Sequence, residues 1–135
     1  MSTPRAEHEA ALALLAAVPY GRLALTREAL PHMAVTRHIV TPDGHLILRT
    51  HKGWDIHRSA DGAVVAYVAD NTASGQPEAW AVQLTGTAYA MTPTRAQRMR
   101  FGEQPAAADG VPFEPVYLRI EPGYATSYRV SGLPQ

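Results

Sequence analysis

Five side chains between positions 37 and 58 offer the most readable chemistry in this 135-residue sequence: Arg37, Arg49, Thr50, Lys52 and Arg58. Arg37 falls in the run HMAVTRHIV, Arg49 and Thr50 close LILRT, and Lys52 and Arg58 follow in HKGWDIHR. If the two runs pair as a hairpin, four cations and a hydroxyl can converge at one end of it. A phosphate asks for such a set, with charges to neutralise and several directed N–H and O–H donors to accept from. Lys52 is the single lysine among 12 basic residues, a compact point charge beside forked guanidiniums. Arginines at strand ends are also ordinary solvated groups, and spacing alone leaves both readings open.

Other chemistries find less support. Cysteine is absent, which removes disulfides, thiolate metal sites and cysteine nucleophiles. Neither a glycine-rich phosphate loop nor a serine nucleophile elbow occurs. The six histidines are His8, His32, His38, His45, His51 and His57, and none pairs at the helical spacing of a zinc helix. His32 and His38 share one strand face but stand about 20 Å apart by strand rise. The histidines therefore read as surface and hairpin residues, and no metal is expected. Trp54 and Trp80 read as partly buried plugs or interface anchors, or else as platforms for a planar ligand. His38 and Tyr67 are conceivable proton donors, with structural roles the simpler account.

The elements that must position these residues follow from patterning. Thr3-Pro4 reads as a cap followed by proline at the first helical position, opening a helix over about 4–18 with Leu12, Leu15 and Val18 on one face. GRLALTR and HMAVTRHIV alternate as strands, and TPDG turns the second into HLILRT. That hairpin sets Arg49-Thr50 near the level of the start of the preceding strand. HKGWDIHRSADG reads as a loop entering a short helix near Trp54. AVVAYVAD lacks a polar face and reads as a strand covered on both sides. In AWAVQLTGTAYAM, Gly86 predicts a bulge or sharp bend. Thr92-Pro93 reads as the cap of a helix ending near Gly102. VYLRIE and ATSYRV read as two strands meeting across a Pro122-Gly123 turn. This is mainly β: an antiparallel barrel of about six to seven strands with two to three appended short helices.

Composition is that of one globular domain over residues 1–135, 46% apolar and 18% charged, with formal charge zero. A balanced charge gives no pull toward nucleic acid or an anionic membrane. Ala10 to Val18 is too short to span a bilayer, and Glu7 and Glu9 stand where a signal peptide is basic. The expected location is the cytoplasm.

Taken in order, these segments resemble the pyridoxamine 5′-phosphate oxidase-related family, the flavin-binding split β-barrels. The opening helix with GRLALT, PHMAVTRHIV, LILRT, AVVAYVAD, AWAVQLTGTA and VYLRIEPGYATSYRV carry the likeness over about residues 10 to 130. No single motif is specific; the ordered set is. The resemblance implies a split barrel of Greek-key-like order with FMN at the interface of a homodimer. It implies cofactor residues at Thr36, Arg37, Arg49 and Thr50 and in the turn His51, Lys52, Gly53 and Trp54. Trp80 to Gln83 would approach the isoalloxazine from the partner subunit. The implied activity is hydride transfer on a small molecule; the alternative is a non-catalytic module binding deazaflavin or haem. Two departures stand out. Asp55 occupies the place of a family lysine, so it either turns away from the anion or marks an altered site, with Lys52 or Arg58 compensating. After SYRV the Arg-Leu segment of true vitamin B6 oxidases is missing, so that reaction is not expected.

Overall fold

The computed structural model describes residues 4–134 and opens with α1, Arg5–Ala16. Pro4 occupies the N-cap place rather than the first helical position, and Thr3 lies outside the described residues. The helix stops before Val18, which precedes Pro19 and is disfavoured from helical backbone by the proline ring. Ala11, Leu12 and Leu15 form its buried face, with Val18 packed alongside.

β1 (Tyr20–Arg27) and β2 (Leu30–Val40) form a hairpin whose two turn residues, Glu28 and Ala29, take positive φ of 51° and 65°. A second turn leads to β3 (Leu46–His51), with the His45 N–H donating to Thr41 Oγ1 at 3.0 Å. The chain continues through a 3-10 turn (Lys52–Trp54), α2 (Ile56–Ala60), β4 (Val64–Asp70), β5 (Ala79–Met91) and α3 (Arg95–Phe101). A minimal hairpin of β6 (Ala107–Ala108) and β7 (Val111–Pro112) precedes β8, Pro115–Val130.

The six long strands pair in the order β1-β2-β3-β8-β5-β4, every step antiparallel, and β4 returns to β1 through Leu23 opposite Tyr67. The fold is a split β-barrel with three helices appended. Period-two alternation sends Leu23, Leu48, Tyr67, Leu84 and Leu118 into a sealed interior.

Four sequence expectations change. Arg49 stands opposite Arg37, deep in β2, because β3 is short and pairs only with Arg37 to Val40 at the end of β2. β4 is covered on one side only: Val65, Tyr67 and Ala69 are buried while Val64 is exposed, so its apolar outer face belongs to the barrel surface. The α3 cap is Thr94, two residues later than expected. Its Oγ1 accepts the Gln97 N–H at 3.1 Å, and the Gln97 side chain accepts the Thr94 N–H at 2.9 Å. Finally, the two closing strands are one. β8 pairs with β5 along its whole course, and Gly123 is the extra residue where the register shifts between Thr85 and Gly86. The expected bulge at Gly86 is thus present, and it absorbs the Pro122-Gly123 pair that reads as a turn.

On the outer face of β2-β1-β4-β5-β8, Met33, Ala24, Ala66, Thr85 and Tyr124 stand in one row. Met33, Val35, Val64 and Tyr128 are exposed on the same side. Among the described residues, no helix is long and apolar enough to cross a membrane.

The bulge is testable. A Cβ on Gly86 would lie 2.1 Å from the Glu121 carbonyl oxygen, whereas one on Gly123 meets nothing closer than 3.7 Å. Gly86→Ala is expected to cost at least about 2 kcal/mol in chemical denaturation, and Gly123→Ala no more than about 0.5 kcal/mol. Equal losses would show that the bulge does not set this requirement.

Candidate functional site

The β2–β3 register sorts the predicted residues onto two faces. Arg37 and Arg49 are direct partners, in a row that continues to Tyr20 on β1 and Tyr117 on β8. Both point outward, where Phe101 at the end of α3 lies beneath them. The guanidinium carbons are 5.9 and 5.4 Å from its ring centroid. Arg37 donates to the Pro19 and Arg100 carbonyls, each at 3.3 Å, and to that of His38. Arg49 donates to the carbonyls of Gly102 at 3.2 Å and Glu103 at 3.3 Å. Neither forms a salt bridge. Burial pulls the Arg49 guanidinium below its ordinary pKa and the like charge of Arg37 pulls the same way, yet it remains a cation. Thr36 and Thr50, one residue along each strand, turn inward instead. Both are buried, and their hydroxyls have no hydrogen-bond partner.

The turn after β3 resolves the question of Asp55. It adopts a left-handed φ of 59°, which swings its carboxylate to Arg58 Nε at 3.2 Å and Arg27 at 3.7 Å. Arg58 is therefore engaged with an acid and does not join Arg37 and Arg49. Lys52 is exposed, with its backbone N–H donating to the Glu114 carbonyl at 2.8 Å and no partner for its ammonium. His51 is buried, contrary to a surface role; its Nδ1 accepts the Glu114 N–H at 3.0 Å. Its ring centroid lies 5.4 Å from that of Trp54 and 5.3 Å from that of Phe113. Trp54 donates from Nε1 to Asp109 at 2.8 Å, so it is a plug held by the β6–β7 loop. Gly53 is required by this packing, since a Cβ there would lie 2.7 Å from His51 Nε2.

Trp80 and Gln83 occupy opposite faces of β5. Trp80 packs inward on the core, and Gln83 is exposed outside, opposite Val68 and Thr126. In the strand circuit β5 is three steps from β2 in either direction. One chain does not bring these residues to the Arg37–Arg49 end.

His38, also expected at the surface, is sealed inside. Its Nε2 lies 2.8 Å from the Leu15 carbonyl and its Nδ1 lies 2.5 Å from the Tyr67 hydroxyl. A carbonyl only accepts, so the proton sits on Nε2 and Nδ1 accepts from Tyr67, whose hydroxyl also lies 3.3 Å from the Thr36 carbonyl. Gly21 makes room for that phenol, since a Cβ there would lie 2.5 Å from the Tyr67 ring. Desolvation lowers the His38 pKa and raises that of Tyr67, holding both neutral. The pair fastens α1 to the barrel interior, with both side chains buried.

Sequence reasoning missed Phe101, Arg100 and Arg27. Phe101 closes the arginine pair from below, Arg100 reaches back to the Val40 carbonyl at 2.8 Å, and Arg27 holds Asp55 aside. RMRF marks a basic helix end, but nothing local says that it folds over β2 and β3. Among the described residues, no group of three or more potential ligands is placed to hold a metal.

Comparison with known proteins places this geometry in context. The family model for pyridoxamine 5′-phosphate oxidase matches residues 7–128. An uncharacterised protein of Mycobacterium tuberculosis, Rv0080, is 34% identical over 133 residues, covering 92% of this chain and 83% of that protein. The FAD-binding protein of Mycobacterium smegmatis shares the fold with TM-score 0.68 and 20% identity, over 97% of this chain and 98% of its own. The FAD- and haem-binding protein of the same organism is similar with TM-score 0.63 and 17% identity, covering 99% and 75%.

The buried pair predicts a pH dependence. Unfolded, His38 takes up a proton as pH falls through its ordinary value of 6.5; folded, it does so only at lower pH. Its contribution to stability is complete above about pH 6.5 and declines below it, towards the folded pKa, because the unfolded state then binds more protons. Thermal unfolding should lose more between about pH 7.5 and 5 in the native protein than in His38→Gln. Parallel profiles would contradict the assignment. Tyr67→Phe, which strands Nδ1, should cost about 1–3 kcal/mol at neutral pH.

Proposed function

The chain belongs to the pyridoxamine 5′-phosphate oxidase family, and on that premise we propose that it is an FMN-dependent oxidoreductase acting as a homodimer. The observation that carries this reading is the Arg37–Arg49 pair. Two guanidiniums stand in register on the outer sheet face with only carbonyl partners, and the unpaired ammonium of Lys52 lies just beyond the end of β3. Adjacent like charges favour an anion between or beside them. The phosphate of FMN is such an anion.

Arg37 and Lys52 are the groups that would hold it directly. Arg49, roofed by the chain after α3, adds its charge from behind. His51, Gly53 and Trp54 act by fixing the turn that presents Lys52, and Thr36 and Thr50 by the strand positions they occupy. A bound flavin supplies the hydride chemistry. The protein's part is to neutralise the phosphate, wall the ring from water with the apolar face around Met33 and Val35, and offer an amide from Gln83 of the partner subunit. The position of Gln83 across the barrel from β2 supports a site shared between two copies, as do the exposed apolar side chains Met33, Val35, Val64 and Tyr128. In this reading the protein works in the cytoplasm on a small molecule, without nucleic-acid or membrane partners. FAD, bound by the similar mycobacterial protein, offers the same cations a pyrophosphate.

Lys52→Ala and Arg37→Gln should each raise the FMN dissociation constant about tenfold while leaving riboflavin within about twofold. Equal losses for both ligands, or a native protein that takes up neither, would overturn the assignment. Sedimentation of the flavin-loaded protein should give a dimer; a strict monomer with tight FMN would contradict the shared site.

A further inference from the structure

We propose that the cleft between the end of β5, the start of α3 and the first residues of β8 is a second binding site, for a small organic carboxylate. The cleft encloses about 430 Å³, with His57, Arg98 and Tyr117 among its walls and Met91, Pro93 and Val116 as apolar lining. It shares no lining residue with the Arg37, Arg49 and Lys52 set. Tyr117 is the register partner of Arg49 on β8, so the cleft adjoins the arginine pair without containing it.

The polar side chains here hold hydrogen-bonding capacity that the described residues leave unused. Arg98 spends one N–H on the Pro93 carbonyl at 2.9 Å and forms no salt bridge, leaving most of its fork free. The Tyr117 hydroxyl has no hydrogen-bond partner among the described residues. His57 Nδ1 is shielded from solvent and equally unpartnered. A buried polar atom without a partner calls for a missing one, whether water or ligand. No aspartate or glutamate lines the cleft; at its edge Asp61 accepts the Ala90 N–H at 2.8 Å, and Glu114 precedes Pro115 with its side chain exposed.

A complementary ligand brings acceptor oxygens and negative charge to this end and an apolar body to the Met91–Val116 side. One fixed cation suits a carboxylate in the forked geometry of arginine, whereas a phosphate asks for two. The volume lies in the range of small-molecule sites.

The test is calorimetric titration of the protein as purified with benzoate, its neutral counterpart benzyl alcohol, and inorganic phosphate. Benzoate should bind saturably and at least about tenfold tighter than benzyl alcohol, and Arg98→Gln should remove that advantage. Arg95→Gln, one turn earlier on α3 and outside the cleft, should leave benzoate binding unchanged. The proposal is overturned if benzoate gains nothing over benzyl alcohol, if phosphate competes with it equally, or if Arg98→Gln binds like the native protein. In those cases the cleft holds solvent or a general anion.

Discussion

The pairing of Arg37 with Arg49 is the constraint on which the rest of this structure turns. A sheet alternates its side chains, so fixing one pair fixes both faces of two strands. With these arginines outside, Thr36, His38 and Thr50 go inside, and Ile39 and Ile47 meet Phe101 beneath α3. A slip of one residue would bury two cations and expose the core. The interior fit guards the register: His38 has a carbonyl on one ring nitrogen and a phenol on the other, available only in this alignment.

From that register comes an unequal treatment of charge. Arg5, Arg22, Arg27, Arg58 and Arg119 all have carboxylate partners, while Arg37 and Arg49, like Arg98 and Arg100, have carbonyls alone among the described residues. Carbonyl dipoles position a guanidinium without cancelling its charge, so the pair keeps its pull on an external anion. Asp55 could have quenched that pull; its left-handed backbone and two arginine partners keep it aside. Lys52 follows β3 as an exposed cation.

Most of the fold was legible because it rests on local patterns. Alternating GRLALTR, the TPDG turn and the glycine inside β5 each report on a few neighbours. Expectations failed where a distant partner decides. Pro122-Gly123 reads as a turn until Gly86 is seen to need a bulge opposite it. AVVAYVAD reads as doubly covered because composition does not reveal which layer is present in a single chain. The candidate site was half legible: the arginines and Lys52 follow from spacing and resemblance. The inward turn of Thr50, the engagement of Trp54 with Asp109, and the packing of Phe101 against the arginine pair depend on segments far along the chain.

In the proposed function, this end of the barrel recognises the anionic part of a flavin. The most direct measurement is the salt dependence of FMN and riboflavin affinities in the native protein. At low ionic strength FMN should bind at least about tenfold more tightly than riboflavin, and added salt should narrow the gap by weakening FMN alone. Equal affinities that respond equally to salt would contradict the account.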